Sequence, residues 1–241
     1  MTASTLAQWM LQSNSTLILT GAGMSTESGI PDFRSRKGWW KNTDPRTVAT
    51  VESLQQNYEL FREFYQMRIQ SLMDFEPHRG HEILANWEAR GHLSLIATQN
   101  VDRFHQQAGN HAVAELHGNI VTIRCQSCGK PLPLGHFVDN AVCTYCKGKL
   151  RPNVVLFGET LPQEAWNRSL KEIQGADLVI VIGTSLEVYP VNQLPAMCKG
   201  RLVYINLDVA GNSRNFDLVI QGTAGEVLAE VDKYLQEPIV E

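Results

Sequence analysis

Short, almost unbroken runs of Leu, Ile and Val recur along the chain at residues 16–20, 93–98, 178–182, 202–205 and 218–220. Runs that lack a polar face suit strands covered on both sides, the condition of a parallel sheet between helices. Between and around them, apolar residues fall at helical spacing in 6–12, 54–75, 78–89, 163–173 and 225–235, and a short helix is expected after Pro190. Strands alternating with helices predict an α/β fold on a parallel sheet.

Two stretches break the alternation. Residues 37–77 hold two Trp, a polar loop and the longest helical pattern, where a first crossover should be brief. Residues 124–151 hold four cysteines, several turn formers and five Lys or Arg against one Asp. Both read as insertions that pack together beside the main sheet, and the ribbon's surplus of positive charge reads as a solvated face.

The 241 residues, 43% of them hydrophobic and with a net charge of −4, are enough for a large core and exclude extended disorder. No apolar run approaches the roughly 18–20 residues of a membrane-spanning helix, so no membrane partner is expected. Residues 1–12 lack the positive start of a secretory leader. Mild acidity argues against nonspecific nucleic-acid binding as the main activity.

Of five cysteines, four lie between Cys125 and Cys146, while Cys198 stands apart and is expected buried in a helix. An odd number without a leader points to a reducing cytoplasm and a metal site, not a disulfide framework. Cys125-x-x-Cys128 and Cys143-x-x-Cys146 are separated by 14 residues, close to zinc-ribbon spacing. Four thiolates close a tetrahedral zinc site with no position left for water, so the one zinc is expected to be structural. Two disulfides or four free thiols are the alternative.

Four of the strand-like runs end in residues able to contact a nucleotide. Strand 16–20 runs into Gly21-Ala22-Gly23, 93–98 into Gln99-Asn100-Val101-Asp102, 178–182 into Gly183-Thr184-Ser185, and 202–205 into Asn206-Leu207-Asp208. The carboxyl ends of neighbouring parallel strands share one edge, where ligands bind. The acidic residue expected about 20 positions after a dehydrogenase-type glycine motif is missing, so that fingerprint fits poorly. The alternative for each loop is that Asn and Asp only cap the helix that follows.

Together these blocks resemble the sirtuins, NAD-dependent protein-lysine deacylases. The resemblance rests on Gly21-Ala22-Gly23-Met24-Ser25 continuing to Ser28-Gly29-Ile30-Pro31-Asp32-Phe33-Arg34-Ser35, on Thr98 to Asp102, and on Leu116-His117-Gly118. It rests also on the two Cys-x-x-Cys pairs, Val154 to Glu159, and Gly183 to Val188. It spans nearly the whole chain. It implies a Rossmann-like NAD domain (1–36, 78–123 and 152–241) and a small domain made of a helical insertion (37–77) and a zinc ribbon (124–151). Acyl-lysine proteins or peptides are the implied substrates, and a cytoplasmic monomer is expected.

The implied reaction passes the acyl group from lysine to NAD, with an alkylamidate intermediate, and yields free lysine, nicotinamide and O-acyl-ADP-ribose. His117 matches the general base that activates a ribose hydroxyl; nothing but the resemblance distinguishes it among seven histidines, the other six reading as surface, cap or structural residues. Asn100 and Asp102 match contacts to a ribose-bound water and the nicotinamide amide, with Val101 beside them, and Gln99 matches a ribose contact. Gly21, Ala22, Thr26, Gly183, Thr184 and Ser185 match phosphate contacts. Asn206 and Leu207 match the adenosine side, with Ala224 near the adenine. Phe33 and Arg34 match the loop over the reactive ribose. Val154, Leu156, Phe157 and Gly158, with Leu186 and Val188, match the segments that sandwich the substrate backbone.

The acyl group is less determined. Leu54, Tyr58, Phe61, Tyr65 and Leu72 share one helical stripe, and Arg68 occupies it where an apolar residue is expected. Tyr65 and Arg68 resemble the Tyr-x-x-Arg pair by which one sirtuin class binds succinyl or malonyl groups; the alternative is an Arg reaching solvent over its packed stem. Deacetylation is the first reading. Desuccinylation or demalonylation, mono-ADP-ribosyltransfer and a non-enzymatic NAD-binding module are the others.

Overall fold

The computed structural model describes residues 2–31, 45–209 and 215–236. In chain order the strands are β1 Thr16–Thr20, β2 Leu95–Thr98, β3 Val113–Glu115, β4 Gly118–Cys125, β5 Pro131–Leu132, β6 Leu150–Val154, β7 Leu178–Ile182, β8 Arg201–Asn206 and β9 Leu218–Gln221. The helices are α1 Thr2–Gln12, α2 Pro45–Val48, α3 Val51–Gln56, α4 Tyr58–Leu72, α5 Arg79–Ala89, α6 Phe104–Gln107, α7 Leu134–Val138, α8 Gln163–Gly175 and α9 Ala224–Gln236. A 3₁₀ turn, Ala22–Ser28, follows β1.

Six strands form one sheet in the order β3-β2-β1-β7-β8-β9, and each neighbouring pair is parallel. Every residue of β1, β2 and β7 is buried. This matches strands with no polar face. Alternate residues of β1 serve opposite cores. Ile18 packs with Leu6 and Met10 of α1, Trp87 of α5 and Leu228 of α9. Leu17 and Leu19 pack on the other face with Ile173 of α8 and Tyr204.

A second, antiparallel sheet has the order β5-β4-β6. Its Ile120, Ile123 and Leu150 share a core with Phe61, Tyr65 and Ile69 of α4. The two irregular stretches therefore pack on one another, as expected. The pairing of β4 with β6 already begins at Gly118, ahead of residue 124, and runs to Val154.

Several expectations from the pattern shift. The helix expected over 54–75 is two helices: Asn57, with φ −135° and ψ 60°, interrupts it, and Thr50 Oγ1 caps α3 by accepting from Ser53 N–H. After Pro190 the chain makes two 3₁₀ turns, Val191–Gln193 and Pro195–Met197, with Pro195 ending the first. Cys198 follows the second turn in extended backbone and is only partly buried, so it is not a buried helical residue. Among the described residues no helix is long and apolar enough to cross a membrane.

Candidate active site

In the main sheet the strand order reverses between β1 and β7, and a crevice is expected beyond the carboxyl ends of those strands. Two glycine loops meet there. Gly21 N–H donates to Ile182 O (3.0 Å), and Gly23 N–H donates to Gly183 O (2.7 Å). Gly183 has φ +61°, and a Cβ on it would lie 2.4 Å from Met24 N, against backbone that cannot move aside.

These loops, the ends of β2 and β8, and residues 154–161 enclose a cavity of about 1020 Å³. Gly21, Ala22, Thr26, Gln99, Asn100, Val101, Asp102, His117, Gly183, Thr184, Ser185, Asn206, Leu207 and Ala224 all line it. So do Tyr65, Arg68, Val154, Leu156, Phe157, Gly158 and Val188. Leu186 does not; its side chain packs against the core beneath the sheet, and Glu187 faces the cavity instead. Phe33 and Arg34 lie outside the described residues.

His117 Nδ1 lies 3.2 Å from the Gln99 carbonyl, which can only accept, so Nδ1 carries the proton and Nε2 holds the lone pair. Burial lowers the His117 pKa, opposed by that hydrogen bond, which keeps the imidazole neutral and basic at neutral pH. Asn100 Nδ2 donates to Ser25 Oγ (3.0 Å), and Ser25 Oγ donates to Asp102 Oδ2 (2.8 Å). Phe104 N–H donates to Asp102 Oδ1 (2.9 Å). Burial nevertheless pushes the Asp102 pKa up, against the pull of these donors and of the Arg68 charge.

Toward β8, Gln99 Nε2 donates to Thr184 Oγ1 (3.0 Å), Tyr204 Oη donates to Thr184 O (2.9 Å), and Asn206 Nδ2 donates to Tyr204 Oη (2.7 Å). Thr26 Oγ1 donates to Gly23 O (2.9 Å), so its hydroxyl braces the loop. Glu27 accepts from Gly225 N–H (2.6 Å) and Thr223 Oγ1 (3.0 Å), tying the 3₁₀ turn to the start of α9. Tight glycine loops, an apolar floor of Ile182 and Ile205, and amide side chains along the rim fit a dinucleotide.

On the opposite wall, Phe157 N–H donates to Ala49 O (2.9 Å) and its carbonyl accepts from Val51 N–H (3.4 Å). Leu156 N–H donates to Glu159 Oε2 (2.9 Å). Phe157 is 45% exposed. Arg151, fully buried, holds the segment in place: it donates to both Glu159 oxygens (2.6 and 2.9 Å) and to Val154 O (2.6 Å). The ribbon's cations are thus not all a solvated face.

Tyr65 is buried, and burial pushes its pKa up to about 12 despite the neighbouring Arg68 charge. The Arg68 guanidinium carbon sits 5.8 Å from the Tyr65 ring centre, and the side chain is drawn into the cavity wall instead of reaching outward. Burial lowers its pKa, with Tyr65 and then Asp102 opposing.

In the ribbon all four thiols are free, and their sulfurs lie within 4.8 Å of one another. The Cys125–Cys146 and Cys128–Cys143 separations are 3.4 and 3.7 Å. A tetrahedral site with zinc–sulfur bonds of about 2.3 Å has sulfur–sulfur edges of about 3.8 Å, so the four cysteines fit one zinc.

None of the other histidines lines the cavity at the glycine loops. His78 caps α5 and donates from Nε2 to Met24 O (2.6 Å), while His81 and His105 are buried beside it. Sequence reasoning did not single out Ser25 as the link between Asn100 and Asp102; it lies inside the glycine block that was read for phosphate. Nor did it pair Arg151 with Glu159, for which no local pattern exists.

Residues 21–190 match the Sir2 family. The "NAD-dependent protein deacetylase 1" of Geobacillus kaustophilus is 47% identical over 238 residues, covering 97% of this chain and 98% of its own. An "NAD-dependent protein deacylase" of Thermococcus kodakarensis is 37% identical, with 98% and 96% covered. A solved complex described as Sir2 with a p53 peptide and NAD+ superposes with a TM-score of 0.88 at 33% identity, covering 97% of this chain and 98% of that one. Another, holding a deacetylated p53 peptide and 3'-O-acetyl-ADP-ribose, reaches 0.91 at 33% identity with the same coverage.

Proposed function

The chain belongs to the Sir2 family, and we propose that it is an NAD-dependent protein-lysine deacetylase that releases free lysine, nicotinamide and O-acetyl-ADP-ribose. The observation that carries this reading is His117, with its Nδ1 tied to the Gln99 carbonyl and its basic Nε2 left for a cavity bounded by both the glycine loops and the segment 154–158.

NAD, when bound, supplies the ADP-ribosyl group that takes up the acyl oxygen as nicotinamide leaves. His117 Nε2 accepts the proton of a ribose hydroxyl, which turns that hydroxyl into a nucleophile. Asn100 and Ser25 orient a water or ribose hydroxyl, and Asp102 accepts from the nicotinamide amide with lone pairs that Ser25 and Phe104 leave open. Gly21, Ala22, Thr26, Gly183, Thr184 and Ser185 hold the phosphates; Asn206, Leu207 and Ala224 hold the adenosine. Val154, Leu156, Phe157, Gly158 and Val188 take the peptide as an added strand, for which the Gly158 N–H has no partner among the described residues. Cys125, Cys128, Cys143 and Cys146 hold one structural zinc. The free cysteines suit a reducing compartment, and the enzyme works as a cytoplasmic monomer.

The test is incubation of acetyl-lysine peptide with NAD and mass analysis of the products. His117→Ala should lower turnover about 10²–10⁴-fold. Transfer of ADP-ribose to protein in place of O-acetyl-ADP-ribose would overturn the reading in favour of mono-ADP-ribosyltransfer.

The Tyr65 and Arg68 pair supports a second acyl specificity, for succinyl or malonyl, since both groups line the cavity. A guanidinium beside a phenol suits a carboxylate. Arg68→Met should then reduce desuccinylation far more than deacetylation; rates unchanged from wild type on both peptides would remove this specificity.

A further inference from the structure

A second cavity, of about 990 Å³, lies behind the substrate segment. Val154, Val155 and Gly158 to Leu161 line both cavities, so this strap of chain is the wall between them. The far side of the second cavity is built from β3, one face of β4 and the first turns of α8.

Its charges are Arg103, Arg124 and Arg168 against Glu115, Glu159 and Glu164. Two of the carboxylates are already engaged. Glu115 accepts from Arg103 (3.2 Å), Gln106 (2.8 Å) and Asn119 (2.8 Å). Glu159 accepts from the buried Arg151 through both oxygens. Arg124 and Arg168 form no ion pair among the described residues, and Glu164 is the remaining carboxylate of the cavity. Arg124 is partly buried on β4. A cation held partly out of water without an ion pair is unfavourable until an anion joins it.

We propose that this cavity is an accessory substrate subsite that receives the carboxylate of an Asp or Glu flanking the acyl-lysine, through Arg124 and Arg168. A guanidinium pairs with a carboxylate through two parallel hydrogen bonds. A peptide strand laid on residues 154–158 advances about 3.3 Å per residue, so a side chain three or four positions from the lysine is about 10–13 Å from it, a reach sufficient to pass the edge of the strap. The inference rests on the deacetylase reading and names what that site selects.

The experiment measures NAD-dependent kcat/KM on acetyl-lysine peptides with neutral flanks and with a Glu three or four positions to either side. The acidic flank on one side should be preferred about tenfold, through KM, and the preference should shrink with added salt. Arg124→Gln with Arg168→Gln should abolish the preference while leaving turnover of the neutral peptide unchanged. Glu164→Gln, which removes the opposing carboxylate from an exposed helix turn, should increase it. Equal rates for acidic and neutral peptides with the wild-type enzyme, or an undiminished preference in the double variant, would overturn the subsite and leave the deacetylase reading standing. No turnover of any peptide would overturn both.

Discussion

Glu159→Ala would strand the Arg151 guanidinium, which is fully buried, with only neutral acceptors: Val154 O, its neighbour Pro152 O and Gln126 Oε1. In the intact protein burial opposes the Glu159 charge, but the Arg151 hydrogen bonds and the Leu156 N–H outweigh it and hold the carboxyl below its usual range. Removing one partner of such a pair costs about 3–5 kcal/mol, because the desolvation of the other is no longer offset. With a urea slope of about 3 kcal/mol per molar, that is a fall of about 1–1.7 M in the unfolding midpoint. Replacing both charges (Arg151→Met with Glu159→Leu) should recover most of the loss, since apolar side chains of similar volume need no compensating charge. The assay is urea unfolding of the zinc-loaded proteins by far-UV circular dichroism, with peptide KM measured beside it. The single variant should also raise KM, because Glu159 fixes the Leu156 N–H and, through Arg151, Val154 O. A midpoint within about 0.3 M of wild type for Glu159→Ala, or no recovery in the double variant, would refute the reasoning.

Three other outcomes are expected. His81 and His105 have pKa values lowered by burial, and then by neighbouring histidines, to about 2 and about 3. An unfolded histidine titrates near 6.5, so the unfolded chain binds more protons below that pH; their stabilising effect is complete above about 6.5 and falls by up to about 1.4 kcal/mol per pH unit for each as the pH drops toward the folded values. His81→Phe should flatten the acid limb of a stability–pH curve, and an unchanged limb would count against this cause. Gly183→Ala, at φ +61° against Met24 N, should lower NAD affinity at least tenfold by calorimetry; unaltered affinity would mean that the loops can part without cost. Zinc removal by a chelator should release four thiols to a thiol reagent and unfold the three-stranded sheet; equal thiol reactivity with and without chelator would argue against a closed metal site.

The main sheet was readable because β1 and β7 carry no polar face, a pattern few other environments permit. β3 was not, since three residues, of which only Ala114 is buried, leave too short a trace. β4 and β6 escaped notice because polar residues such as Asn119, Thr122, Arg124 and Arg151 are mixed into them. Asn57 divides one helical stripe without disturbing its periodicity, as the stripe continues from Leu54 to Phe61 and Tyr65 in the same core. In the cavity, the loops after β1, β2, β7 and β8 were legible from their small and amide residues. His117 came from resemblance alone, because what sets its tautomer is the Gln99 carbonyl that the fold brings beside it. The Arg151–Glu159 pair required three dimensions: each side chain, alone, looks like ordinary surface charge.

The order in which the strands join has a consequence for how the polypeptide matures. Thr16 lies beside Leu178, so β1 waits through most of synthesis for one of its two flanking neighbours. The antiparallel β5-β4-β6 sheet, by contrast, draws on a single continuous stretch and can close as soon as that stretch leaves the ribosome. A nascent chain halted before β7 would carry a finished ribbon beside an apolar strand open along one edge, the species on which a chaperone would act.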